Sequence, residues 1–244
     1  MADWPLIIAH RGLPRSAPEN TLPSFLAALE HQPDVVECDY VHSADGRLVV
    51  LHDATLDRTT DAEVVLGGRK IRADGVAWND LQRLDAGTWF GPQFAGTKLP
   101  SLEETIDAVC PRARLMIERK AGDAAALVEL LRRKNVFDRV VVQAFHWPFI
   151  ADCHRLEPRI TLGVLGEKEL TPAKVEEAAA IGATIIGWGQ ADLTPPAIQA
   201  AHEAGLKVWS WTINLPERAR ELTAAGLDGI ITDRADVVRE WLRS

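Results

Sequence analysis

Only three cysteines occur in this chain, Cys38, Cys110 and Cys153, and no two are spaced as Cys-x-x-Cys. An odd, scattered set excludes a disulfide framework and a cysteine zinc site, and it fits a reducing compartment such as the cytoplasm. No apolar run approaches the ~20 residues of a membrane span. The opening Met1-Ala2-Asp3-Trp4-Pro5 has no basic stretch and no apolar core, so no signal peptide is expected. Positive charge is also scarce: 27 Lys and Arg stand against 35 Asp and Glu, a net charge of −8. A nucleic-acid partner is therefore not expected, because phosphate backbones are held by clustered cations. An anionic small molecule would need a local positive site instead.

What the chain does have is a rhythm. Nine apolar runs of strand length recur, at 6–10, 35–41, 47–52, 114–118, 139–145, 160–165, 183–188, 206–212 and 228–232. Helix-like stretches separate most of them, the pattern of a parallel sheet covered on its faces. The punctuation agrees. Ser101-Leu102-Glu103-Glu104 reads as a capping box. Pro172, Pro195 and Pro216 stand at first-turn positions. Gly182, Gly205 and Gly226 each precede a strand, where a helix ends in a left-handed residue.

Runs 35–41 and 47–52 are too close for a parallel crossover, so they are read as an antiparallel hairpin with Asp45-Gly46 at its tip. Removing the returning strand leaves eight. The expected fold is a single (β/α)8 TIM barrel over 1–244, a usual length for that architecture. It carries one antiparallel hairpin after strand 2. The glycine-rich stretch 54–100 is read as a small insertion subdomain over the barrel mouth.

Chemistry-bearing residues cluster at the ends of apolar runs, where such barrels keep their working groups. Glu37 and Asp39, two apart on a strand, share a face, and a two-residue turn at Asp45-Gly46 would set His52 opposite Asp39. Glu118 and Lys120 repeat the spacing on a later strand, and His10-Arg11 ends the first. Three carboxylates converging in a partly dry pocket would force a proton onto one of them unless a cation intervened. Oxygen-only ligation suits Mg²⁺ or Ca²⁺. Arg11 and Lys120 at the mouth would bind an anion, and Trp211 could wall the substrate. Cys38 should face away as packing. His31, His42, His146, His154 and His202 show no acidic partners at ligand spacing.

These clusters resemble the glycerophosphodiester phosphodiesterase family along nearly the whole chain. The likeness runs through His10-Arg11-Gly12, Pro18-Glu19-Asn20-Thr21, Glu37-Cys38-Asp39, His52-Asp53, Arg58-Thr59-Thr60 and Glu118-Arg119-Lys120. It closes with Trp211-Thr212-Ile213-Asn214 and Asp228 to Asp233. Departures are Gln143-Ala144-Phe145 in place of a Ser-Phe pair, and Arg119 in place of an aliphatic residue.

The resemblance implies a barrel, a bound Mg²⁺ or Ca²⁺, and hydrolysis of glycerophosphodiesters to an alcohol and sn-glycerol 3-phosphate. It implies His10 and His52 as the catalytic pair, Glu37, Asp39 and Glu118 as metal ligands, and Arg11 and Lys120 as phosphate contacts. Two rivals stand beside it: a lysophospholipase D-type or phosphatidylinositol-phospholipase-like phosphodiesterase, and a catalytically silent ligand-binding barrel. The expected partner is a small molecule, with no stable membrane insertion; a homo-oligomer is left open.

Overall fold

The computed structural model describes residues 4–243, so Met1–Asp3, on which part of the signal-peptide expectation rests, lie outside it. All nine apolar runs form strands: β1 (Leu6–Ala9), β2 (Val35–His42), β3 (Leu48–Val50), β4 (Arg114–Arg119), β5 (Val140–Ala144), β6 (Thr161–Gly166), β7 (Ile185–Gly189), β8 (Lys207–Trp211) and β9 (Gly229–Thr232). Pairing runs β1-β9-β8-β7-β6-β5-β4-β2, and a β1–β2 pairing closes the ring of eight parallel strands. β3 lies outside the ring, antiparallel to β2. It takes the upper edge of β2, above the point where β1 stops pairing at Ala9–Val36.

The helices start and stop where local chemistry directs. Ser101 and Glu104 form the reciprocal cap of the helix Leu102–Val109. Thr171 and Thr194 each accept from the backbone N–H three residues on, and a proline follows each. Gly182, Gly205 and Gly226 all have left-handed φ values just past their helices. Among the described residues no helix is long and apolar enough to cross a membrane.

Among the described residues three apolar clusters hold the molecule. The largest lies between the barrel's outer face and the helices, and it contains Cys38, which turns away from the cavity as its strand parity requires. A second fills the barrel interior with Ile8, Val35, Met116, Val141, Ile185, Trp209 and Ile231. That plug forms a floor below the mouth. The third joins 54–100 to the hairpin, packing Leu56, Ala62, Ala73, Leu81 and Leu84 against Val41, Val49 and Leu51. The segment thus has its own core beside the mouth and reaches the site through Arg58.

The hairpin register corrects one expectation. Its loop has three residues, Ala44-Asp45-Gly46, closed by Ser43 N–H on the Arg47 carbonyl at 2.9 Å, with Gly46 at φ +81°. Val50 therefore faces Tyr40. The Leu51 N–H then meets the Asp39 carbonyl at 3.1 Å, so His52 does not stand opposite Asp39. His52 lies beyond the end of β3, and its ring still enters the cavity.

Candidate active site

Strand alternation places Glu37 and Asp39 of β2, and Glu118 of β4, on the inner face at the C-terminal ends. Register puts Asp39 beside Glu118. The three are nearly sequestered, at 1 %, 1 % and 8 % exposure. One carboxylate oxygen of each lies within 4.8 Å of the other two. Glu37 and Glu118 open into a cavity of about 240 Å³ that is also lined by His10, Arg11, His52, Lys120, Gln143, Phe145 and Trp211. Every residue singled out for the site lines that cavity except Asp39, which stands just behind it on Arg11 and Lys120.

Each carboxylate is held differently. Glu37 Oε2 accepts the Arg11 backbone N–H at 2.7 Å, made available by the left-handed φ of Arg11, +56°. Asp39 Oδ2 accepts from the Asn20 amide at 2.8 Å, and Asn20 in turn accepts the Asp39 N–H at 3.1 Å. Arg11 Nε stands 3.3 Å from Asp39, and Lys120 Nζ stands 3.1 Å from its other oxygen. Lys120 also donates to Glu118. Two cations thus face three buried carboxylates, one charge short of balance.

The titration behaviour follows from that deficit. Burial, then Asp39 and Glu118, push Glu37 well above the ordinary carboxyl range. Burial and Asp39 raise Glu118 to about 7. Burial also works to raise Asp39, but Lys120 and Arg11 outweigh it and leave this carboxyl low. The cluster therefore carries a proton unless more positive charge arrives. Glu37 Oε1 and Asp39 Oδ1 accept no hydrogen bond from the described residues, although Lys120 approaches the latter as an ion pair. Two donor-free buried oxygens, on a trio of carboxylates gathered within 4.8 Å, fit a hard divalent cation.

The two imidazoles are mounted alike. His10 Nδ1 meets Asp233 Oδ1 at 2.7 Å, and His52 Nδ1 meets Asp53 Oδ1 at 2.6 Å. With a carboxylate on each Nδ1–H, Nε2 is the nitrogen left to exchange protons. Asp233 is oriented by the Asn214 amide at 2.6 Å. Asp53 is held by Arg58 at 2.6 Å, and Arg58 also grips Glu19, which binds Arg11. The Arg58 hydrogen bond is the main reason Asp53 sits at about 2. Burial leads the depression of the His52 pKa, outweighing the pull of Asp39 and Asp53.

Sequence reasoning assigned no role to Asp233, Asp53, Asn20 or Arg58. Asp53 was adjacent to a chosen histidine, and the other three lay in the quoted motifs. Asp53 meets its neighbour His52 and nearby Arg58, whereas Asn20, Arg58 and Asp233 reach Asp39, Glu19 and His10, up to 223 residues away. Arg119, between two site residues, turns outward to the Gly122 carbonyl and the Phe149 ring. Of the five histidines set aside, His202 does have an acidic partner, Asp228 at 2.8 Å, on the barrel's far side from the cavity. Trp211 packs edge-to-face on Phe145 with ring centres 5.6 Å apart.

The glycerophosphoryl diester phosphodiesterase family model matches residues 10–237. A glycerophosphodiester phosphodiesterase of Caldanaerobacter subterraneus is 30 % identical over 245 residues, covering 98 % of both chains. An Oleispira antarctica phosphodiesterase, solved in complex with the product sn-glycerol-3-phosphate, superposes with a TM-score of 0.89 at 27 % identity, over 99 % of this chain and 98 % of that one. A glycerophosphodiester phosphodiesterase from Agrobacterium tumefaciens superposes at 0.83 with 29 % identity, over 97 % and 99 %.

Proposed function

The chain belongs to the glycerophosphoryl diester phosphodiesterase family, and from that premise we propose that it hydrolyses glycerophosphodiesters to an alcohol and sn-glycerol 3-phosphate. The observation that carries the reading is one cavity in which two carboxylate-mounted imidazoles flank three buried acids and two cations. Glu37, Asp39 and Glu118 would hold the cation, Mg²⁺ or Ca²⁺ by the hardness of their oxygens. Such an ion, when bound, neutralises phosphate charge and lowers the pKa of a coordinated hydroxyl.

The protein's own groups supply the rest. Arg11 and Lys120 are the cations an incoming phosphate meets, the first as a flat fork and the second as a point charge. Arg11 is held in place by Glu19 and Asp39, so its guanidinium is ordered before substrate arrives. His10 and His52 divide the proton work. The neutral ring takes a proton at Nε2 from the attacking oxygen, and the charged one donates from Nε2 to the leaving alkoxide. The attacking oxygen is a neighbouring glycerol hydroxyl, giving a cyclic phosphate that is then opened, or water itself. Asp233 and Asp53 fix the tautomer and stabilise whichever imidazolium forms, as carboxylates do behind catalytic histidines generally.

The reading takes residues 1–244 as one catalytic unit, with 54–100 as an insertion, acting in the cytoplasm on small water-soluble diesters and not on nucleic acid. The test is the purified chain given glycerophosphocholine, glycerophosphoethanolamine or lysophosphatidylcholine with Mg²⁺ or Ca²⁺. Release of sn-glycerol 3-phosphate from the first two is expected. Cleavage of the lysolipid alone would favour a lysophospholipase D, and no cleavage of any would favour a silent binding barrel.

A further inference from the structure

The cavity has a second half that the proton and charge chemistry leaves unused. Continuing round from Glu118, its wall is made of Gln143 of β5, Phe145 just after that strand, Leu165 of β6, Trp211 of β8 and Ile231 of β9. Within this neutral wall Gln143 is out of place. It sits in register between Glu118 of β4 and Gly163 of β6, and is 4 % exposed. Its carboxamide makes no hydrogen bond to any described residue, and it borders the cavity. The amide atoms are reached by water through the cavity, so a ligand that displaces this water must replace its hydrogen bonds or leave the amide unpaired.

The room around the amide is made by glycines. Gly163 and Gly187 present no side chain toward the barrel axis beside it. A Cβ at Gly187 would stand 3.5 Å from Gln143 Oε1 and only 2.6 Å from Leu165. The Trp211 indole N–H is turned to the Gly187 carbonyl at 3.3 Å, so its ring offers the pocket an apolar surface. A donor-and-acceptor amide beside apolar rings suits an arm that is carbon on one side and hydroxyl on the other.

We infer that Gln143 is a specificity-determining residue, reading a hydroxyl of the glycerol arm that enters the neutral half of the cavity. This deepens the proposed function and rests on it: the arm placed inside is the glycerol, and the leaving alcohol stays at the mouth. A site whose buried amide needs a hydroxyl rejects an arm lacking it, because the amide then remains unpaired.

The test is calorimetric binding of sn-glycerol 3-phosphate with Mg²⁺ or Ca²⁺ present, compared with two analogues, one lacking the secondary and one the terminal hydroxyl. Gln143→Met keeps the side-chain length and removes the hydrogen bonding, and its melting temperature verifies folding. The wild type should prefer sn-glycerol 3-phosphate, with both free hydroxyls, over one of the analogues by about 10–100-fold. Gln143→Met should bring that pair to parity, leaving the analogue's own affinity unchanged. Retained preference in the variant, equal weakening of all three ligands, or no preference in the wild type would overturn the assignment. Turnover measured in parallel separates the two readings: binding selectivity that depends on Gln143 without hydrolysis of any glycerophosphodiester would sink the phosphodiesterase proposal and leave this one standing.

Discussion

On the β1, β2 and β4 side of the cavity each charged side chain has a protein partner; on the β5, β6 and β8 side the wall is neutral and Gln143 has none among the described residues. The first side is pre-organised for a reaction. Its carboxylates, cations and imidazoles are held by one another and by Asn20, Glu19, Arg58, Asn214, Asp53 and Asp233. The second side is shaped for a guest. The difference teaches where rate and selectivity reside: substitutions on the charged side should change chemistry and cation binding, while those on the neutral side should change which molecule is accepted.

The sharpest way to break that division is at the imidazoles. His10→Ala and His52→Ala should each lower kcat by about 10²–10⁴-fold with little change in KM, measured by steady-state release of sn-glycerol 3-phosphate. A KM effect without a kcat effect would move the histidine to the binding side. Next in size is the cation. Asp39→Asn should weaken Mg²⁺ or Ca²⁺ binding by at least about 10–100-fold in a direct titration, since even groups one shell behind metal ligands carry that much. An unchanged affinity would remove Asp39 from the ligand set.

Glu118 allows the comparison to be sharpened without any assay of activity. Between the ordinary carboxyl value of 4.5 and its own value of about 7, the folded chain keeps a proton here that the unfolded chain has released. Folding takes up a proton in that window, so this group's contribution to stability declines as pH rises from about 4.5 to about 7. In chelator, the wild type should therefore lose stability relative to Glu118→Gln across that range, read from thermal unfolding at each pH. Parallel curves for the two proteins would mean that burial and Asp39 do not raise Glu118 in solution. The smallest effect is expected on the neutral side, where Trp211→Leu should raise KM by about 5–10-fold with kcat nearly kept, the scale of a lost aromatic contact. A loss in kcat as large as that of the histidine variants would dissolve the distinction between the halves.

Much of the charged side was readable in the chain because it obeys strand arithmetic. Residues two apart share a face, so Glu37 with Asp39 and Glu118 with Lys120 announce themselves without a structure. The barrel was readable for the same reason, since eight apolar runs with capped helices between them admit few other arrangements. The hairpin was misregistered by one residue because Asp45-Gly46 can serve either a two-residue or a three-residue loop, and Ser43 pairing with Arg47 decides it. The mounting of His10 on Asp233 was out of reach, because it depends on the chain closing β9 onto β1. The neutral half was the least legible. Gly163 and Gly187 look like ordinary strand glycines until their neighbours across the barrel are known.

The proposed chemistry depends most on a divalent cation seated among Glu37, Asp39 and Glu118. Titrating Mg²⁺ and Ca²⁺ into chelator-stripped protein, with hydrolysis of glycerophosphocholine followed at each addition, tests it directly. One ion bound per chain, with activity absent before the titration and rising in step with occupancy, is the expected result. Full hydrolysis by the stripped protein, or saturable binding that leaves activity unmoved, would contradict it.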